Sequence, residues 1–183
     1  MRKLFLLFLI SLGHFLFSQT TSLIINNYSP YQLNTRFGAS GLAGNCHPTL
    51  GSNPYTGNLN LTIPAASSTT NPFVVAYPTY ASVITSSVPF DYWFVRTLPN
   101  ANGQNRLWSN FSLATGGAIA LNTNWSYFSF LTHTGNNSTV DDLYLEIGTC
   151  GTTPIFYDSG TNSDAEWFNI SSGGITYTYV QIY

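Results

Sequence analysis

Apolar and polar side chains alternate along most of this chain with a period of two, the repeat of a β-strand that buries one face. The clearest run is Val140-Asp-Asp-Leu-Tyr-Leu-Glu-Ile-Gly-Thr-Cys150, where Leu143, Leu145 and Ile147 fall on one face and Asp142, Tyr144 and Glu146 on the other. Residues 31–37 repeat the pattern, with Tyr31, Leu33, Thr35 and Phe37 opposite Gln32, Asn34 and Arg36. After Gln19 apolar residues almost never recur at helical spacing, and clusters of Gly, Pro, Asn and Ser punctuate the runs.

The pattern predicts further strands over 23–27, 58–63, 73–77, 91–97, 106–113, 118–121, 125–132, 155–158, 166–170 and 175–183. Residues 82–88, bracketed by Pro78 and Pro89, read as a weaker edge strand or part of a loop. Residues 38–57 read as one long connection holding Cys46 and His47, and a loop of that length is usually functional or tied down. Ten to twelve strands joined mostly by short turns predict an all-β fold, an antiparallel two-sheet β-sandwich of jelly-roll type rather than a closed barrel. No fixed-period repeat argues for a solenoid or propeller.

The first 18 residues change how the rest is read. Met1-Arg2-Lys3 is a short basic segment and 4–17 is almost continuously apolar, which predicts an export signal cleaved after Ser18 and a single domain over 19–183. The product is then exported, to the periplasm or the cell exterior. No later stretch is long and apolar enough for a membrane span. Removal of Arg2 and Lys3 leaves Arg36, Arg96 and Arg106 against seven acids, a net charge of 3 − 7 = −4. So sparse a positive charge excludes a nucleic-acid or anionic-lipid footprint. With 7% charged residues, solubility rests on Ser, Thr, Asn and Gln. The two cysteines, in an exported chain, predict a Cys46–Cys150 disulfide. Closing a loop of about 100 residues would contribute about 4–5 kcal/mol.

Candidate chemistry is thin and falls into three groups. The histidines His47 and His133 lack a Gly-x-Ser-x-Gly nucleophile turn to serve, and read as solvated loop residues. Six of the seven carboxylates lie between Asp141 and Glu166. No resident cofactor is expected, but Asp141, Asp142 and Glu146 are hard oxygen donors of the kind calcium takes, although their spacing matches no EF-hand loop. The same acidic segment would have to supply the carboxylate pair of a glycoside hydrolase or lyase. The aromatic residues form the third group. Trp108 shares a predicted strand face with Arg106, Asn110 and Ser112, opposite Leu107, Phe111 and Leu113, giving a ring beside polar hydrogen-bonding groups, as sugar recognition requires. Trp93, Trp125 and Trp167 lie in apolar runs and read as core, as does the Tyr177, Tyr179 and Tyr183 stripe.

The leader ending Phe17-Ser18-Gln19 resembles signal peptides of Bacteroidota such as flavobacteria, and Leu23-Ile-Ile-Asn-Asn-Tyr-Ser-Pro-Tyr31 resembles the first strands of thaumatin-like proteins and of small secreted flavobacterial β-sandwich proteins of unknown function. Thaumatin-like proteins carry many cysteines where this chain has two, so the resemblance implies compartment and fold but transfers no functional residue. The resulting expectation is a non-enzymatic exported binding or adhesion module for glycans or cell-surface ligands. Its rivals are a glycoside hydrolase or lyase acting through 141–166 and a structural protein that polymerises through sheet edges; the sequence sets no oligomeric state. Export of the full chain should yield a protein whose N-terminal sequencing begins at Gln19; a start at Met1 would refute the leader.

Overall fold

The computed structural model describes residues 22–52, 61–136, 138–173 and 175–183, and at Cys150 the backbone alone. The export leader, the first part of the predicted 58–63 strand, Asn137 and Gly174 in two predicted turns, and the Cys150 side chain lie outside the described residues. The chain forms β1 (Ser22–Asn27), β2 (Gln32–Gly41), β3 (Thr49–Ser52), β4 (Leu61–Ile63), β5 (Phe73–Tyr77) and β6 (Tyr92–Arg96). β7 (Gln104–Leu107), β8 (Thr123–His133), β9 (Thr139–Glu146), β10 (Tyr157–Ser159), β11 (Asp164–Ser172) and β12 (Ile175–Ile182) follow. One sheet runs β10-β11-β12-β1-β5 and the other β7-β6-β3-β2-β8-β9, with β4 pairing β2 beside β3. The two sheets pack as the expected all-β sandwich, with no closed barrel.

Alternation sets the faces as the sequence predicts. Leu33, Thr35 and Phe37 of β2 are buried, as are Leu143 and Leu145 of β9. Phe37 lies at the centre: its ring centroid is 5.0 Å from Tyr77, 5.9 Å from Phe90 and 6.1 Å from Trp93. Trp125 and Phe128 stand at 6.0 and 6.2 Å. Two buried polar atoms beside Phe37 find partners, as burial demands. Tyr77 Oη donates to Val88 O at 2.7 Å and Trp93 Nε1 donates to Tyr80 O at 2.8 Å. Trp93, Trp125 and Trp167 are core residues as expected.

The first and last of the described strands meet in the five-stranded sheet. β1 pairs β12 in parallel, from Ser22 opposite Tyr177 to Asn27 opposite Ile182, and pairs β5 antiparallel on its other side. Buried Asn27 holds the turn into β2 by donating to Tyr31 O (2.9 Å) and Pro64 O (2.8 Å) while accepting from Ser29 N–H and Oγ.

Three local expectations are corrected. The predicted long loop over 38–57 contains regular structure, because β2 continues to Gly41 and β3 returns against it, Gly38 opposite Gly51. Alternation was hidden there by glycines. Residues 82–88 do not extend as a strand: Tyr80–Thr85 is a short 3-10 helix, started by reciprocal hydrogen bonds between Thr79 and Ser82. Residues 118–121 likewise end in a 3-10 turn, Ala120–Asn122, instead of a strand.

Replacing Phe37 by Ala should cost about 3–5 kcal/mol, the usual penalty for deleting a fully buried aromatic ring. A urea titration showing less than about 1 kcal/mol would mean the five surrounding rings do not depend on it.

Candidate functional site

The acid-rich segment is built as a clasp between the sheets. β9 is an edge strand of the larger sheet, and β8 opposes it with a bulge: Leu131 pairs Asp142 and His133 pairs Thr139, so Val140 and Asp141 together face Thr132. Asp141 N–H leaves the ladder and donates to Thr132 Oγ1 at 2.9 Å. The Asp141 carboxylate, on a residue only 7% exposed, reaches the β10–β11 hairpin of the other sheet. There it accepts from Thr161 N–H at 2.6 Å, Asn162 N–H at 3.0 Å and Ser163 Oγ at 2.7 Å. Gly160 lets the turn approach this closely, since a Cβ there would lie 2.3 Å from Asp141 Cγ. Burial alone would raise the Asp141 pKa. The bonds from Ser163 Oγ and from the N–H groups of Thr161, Asn162 and Ser163 outweigh it and hold the carboxyl below its usual range.

Three of the other acids, Asp158, Glu146 and Glu166, are also engaged with protein groups. Asp158 Oδ2 accepts from Tyr144 N–H at 2.9 Å on the outer edge of β9, and Glu146 and Ile155 exchange backbone hydrogen bonds of 3.0 and 2.7 Å. The segment around 155–163 therefore covers an edge that would otherwise be open to strand pairing. Glu146 accepts from Tyr144 Oη at 3.0 Å and Thr152 Oγ1 at 2.6 Å, and Glu166 accepts from Tyr183 Oη at 2.6 Å. Partial burial and the bond to Glu146 push the Tyr144 phenol up to about 12. Of the candidate calcium ligands, Asp141 turns inward while Asp142 is exposed, so the two adjacent acids do not converge. Among the described residues, no three His, Cys, Asp or Glu side chains gather where they could hold a metal ion.

The candidate ligand residues lie at the opposite edge, Arg106 on β7 and Trp108 and Asn110 just beyond it. Arg106–Leu113 is not one strand. β7 ends at Leu107, Trp108 N–H donates to Asp91 O at 2.8 Å, and the chain then turns. The turn is fixed by Asn110 Oδ1, which accepts from Ser112 N–H (3.0 Å) and Ser112 Oγ (2.7 Å). This breaks the predicted alternation. Trp108 is half-buried and packs on the core, whereas Leu107 and Phe111 face outward, Phe111 at 83% exposure. Arg106 pairs with buried Trp93, and its Nη1 donates to Ser112 Oγ at 2.8 Å.

Along the free edge of β7 runs a groove of about 620 Å³, lined by Tyr92, Gln104, Asn105, Arg106, Leu107, Ser109, Asn110 and Phe111. Two of the three candidate ligand residues, Arg106 and Asn110, are therefore brought together there. The aromatic walls are Tyr92 and Phe111 in place of Trp108. Sequence reasoning missed Phe111 because its spacing matched the buried Leu113; the Ser-Asn-Phe-Ser run, a turn-forming sequence, was the available signal.

A second exposed surface covers the outer face of the five-stranded sheet. Tyr177, Tyr179 and Tyr183, read from sequence as core, instead alternate with buried Thr178, Val180 and Ile182 and are half-exposed or exposed. The alternation itself was correct; the choice of inner face was not. Phe168 stacks on Tyr179 at 5.3 Å with planes 8° apart, and Tyr28 on Tyr183 at 5.6 Å and 11°. His47, in the β2–β3 connection, donates from Nδ1 to Asn45 O at 2.7 Å, and His133 is buried at the end of β8, so it is not the solvated histidine expected.

No family model, curated protein or solved structure matches this chain. Among the described residues no helix is long and apolar enough to cross a membrane.

Asp141→Asn should destabilise the fold by about 2–3 kcal/mol, because an amide cannot accept from all three donors without presenting its own NH₂ to one of them. The pH dependence has a definite sign. A carboxyl held below its usual value adds stability above the unfolded-state pKa, about 4, and loses it as pH falls through the lower folded value. Denaturation of both proteins should thus show a constant gap above about pH 5 that narrows below about pH 4; a gap that widens in acid would refute the clasp.

Proposed function

We propose that this chain is an exported glycan-binding module whose binding site is the groove along β7. The observation that carries the reading is the convergence of ring, amide and guanidinium chemistry there. Phe111 offers a largely exposed ring for the C–H face of a sugar, Tyr92 a second, and Gln104 and Asn110 offer amides for hydroxyls. The tyrosine-rich face of the smaller sheet is less suited to this task. Its rings stack on one another across strands, and Tyr179 stands in register between Phe168 and Ile24, which leaves ring edges outward.

The groove is pre-formed by the Arg106–Ser112–Asn110 hydrogen-bond chain, so little ordering entropy opposes binding. Phe111→Ala should weaken binding to whichever oligosaccharide a glycan array identifies by roughly five- to thirtyfold, the range for losing a central aromatic contact. Unchanged binding in Phe111→Ala and Asn110→Ala, each shown to be folded, would refute the site.

The Cys46–Cys150 disulfide belongs to the same reading of an exported protein. Cys46 lies in the β2–β3 connection, where its carbonyl accepts from Gly41 N–H at 3.0 Å. The Thr149–Gly151 turn follows β9 at the same end of β8, since Ala39 pairs Trp125 and Ile147 N–H donates to Ser126 O. The two backbones thus flank the start of one strand. Intact mass of the exported protein should be 2 Da below the fully reduced value, and reduction should lower the thermal midpoint; a full-mass protein with two alkylatable thiols would refute the bond.

A further inference from the structure

We infer that the β7 groove takes an acidic glycan, one whose sugars carry carboxylates, with Arg106 as the residue that binds a sugar carboxylate. The inference rests on the glycan-binding reading above and adds the charge of the ligand to it. No carboxylate lines the groove, while Arg106 does. Ser112 Oγ accepts from Nη1 of Arg106, one of the five guanidinium donors, and in doing so fixes the plane of the group. A planar guanidinium with donors to spare matches a planar carboxylate in two parallel hydrogen bonds.

The distribution of charge over the molecule supports the same ligand. Once the leader is removed the chain keeps three arginines, and two of them, Arg96 and Arg106, lie in the β6–β7 pair. Only one acid, Asp91, sits at that end, next to β6. The other six lie between residues 141 and 166, on β9 and the strands beyond it. β7 and β9 are opposite edges of one sheet, five strand intervals apart. At about 4.8 Å per interval that is roughly 24 Å, several times the roughly 8 Å screening length of physiological salt. An anion in the groove therefore meets local positive charge while the distant acids are screened. Net negative charge would otherwise argue against such a ligand.

The test compares hexagalacturonate with the same hexamer after reduction of its carboxyls to primary alcohols, titrated into the oxidised protein spanning residues 19–183. The uronate form should bind at least about tenfold more tightly at low salt, the range of one charge-assisted hydrogen-bonded pair, and the ratio should shrink as salt rises. Arg106→Gln should bring the ratio close to one, whereas Arg36→Gln, which changes net charge equally but lies on β2, should preserve it. Equal affinity for the two hexamers, or a preference that survives Arg106→Gln, overturns the acidic ligand but leaves a neutral-glycan site standing. If neither hexamer binds and a glycan array finds no other ligand, both readings fall. Near-UV circular dichroism of each variant separates lost recognition from lost fold.

Discussion

A single buried carboxylate joins the two sheets at one edge of the sandwich. Asp141 sits on β9 of the larger sheet, and every donor it satisfies beyond its own strand belongs to the β10–β11 turn of the smaller one. A buried charge with no partner would destabilise the fold by several kcal/mol, so the turn must close around it. The demand propagates outward. Closing the turn requires Gly160, places Asp158 against Tyr144 N–H, and lays the segment around Ile155 along the exposed edge of β9. The concentration of acid in 141–166 is thus accounted for largely by architecture.

That arrangement divides the molecule electrostatically as well as structurally. Carboxylates gather where the chain crosses from one sheet to the other, and two arginines lie at the far edge, where no further strand of the described residues stands beside β7. The free edge acquires a groove because β7 is short and is followed at once by an Asn110–Ser112 turn, which throws Phe111 outward. The two edges of the larger sheet therefore differ: one is covered by the chain itself, the other is aromatic and amide-rich.

Much of the fold was legible from local pattern. Leu33 and Phe37, and likewise Leu143 and Leu145, were placed on a common face by alternation alone, and that face is the buried one. Pattern failed where a strand ran through glycines, as at Gly38 and Gly41, and where side chains capped a short helix, as Thr79 and Ser82 do. It also failed at 106–113. An Asx turn there replaced alternation with a reversal, exchanging the roles of Trp108 and Phe111. Arg106 and Asn110 come together, but not as mates on one strand face: one is a strand residue and the other a turn residue, and their side chains meet through Ser112.

What the sequence alone determined is therefore the all-β class and those strands whose alternation is unbroken, because these depend on a local period of two. What only the tertiary structure decided is which alternating face became core and what each acid does. The stripe of Tyr177, Tyr179 and Tyr183 is as apolar as many buried faces; it lies outward because Thr178, Val180 and Ile182 fill the interior opposite the larger sheet. Asp141 and Asp142 are adjacent and chemically identical. A bulge opposite Thr132 and a turn some twenty residues away make one of them the buried link between sheets and leave the other in solvent.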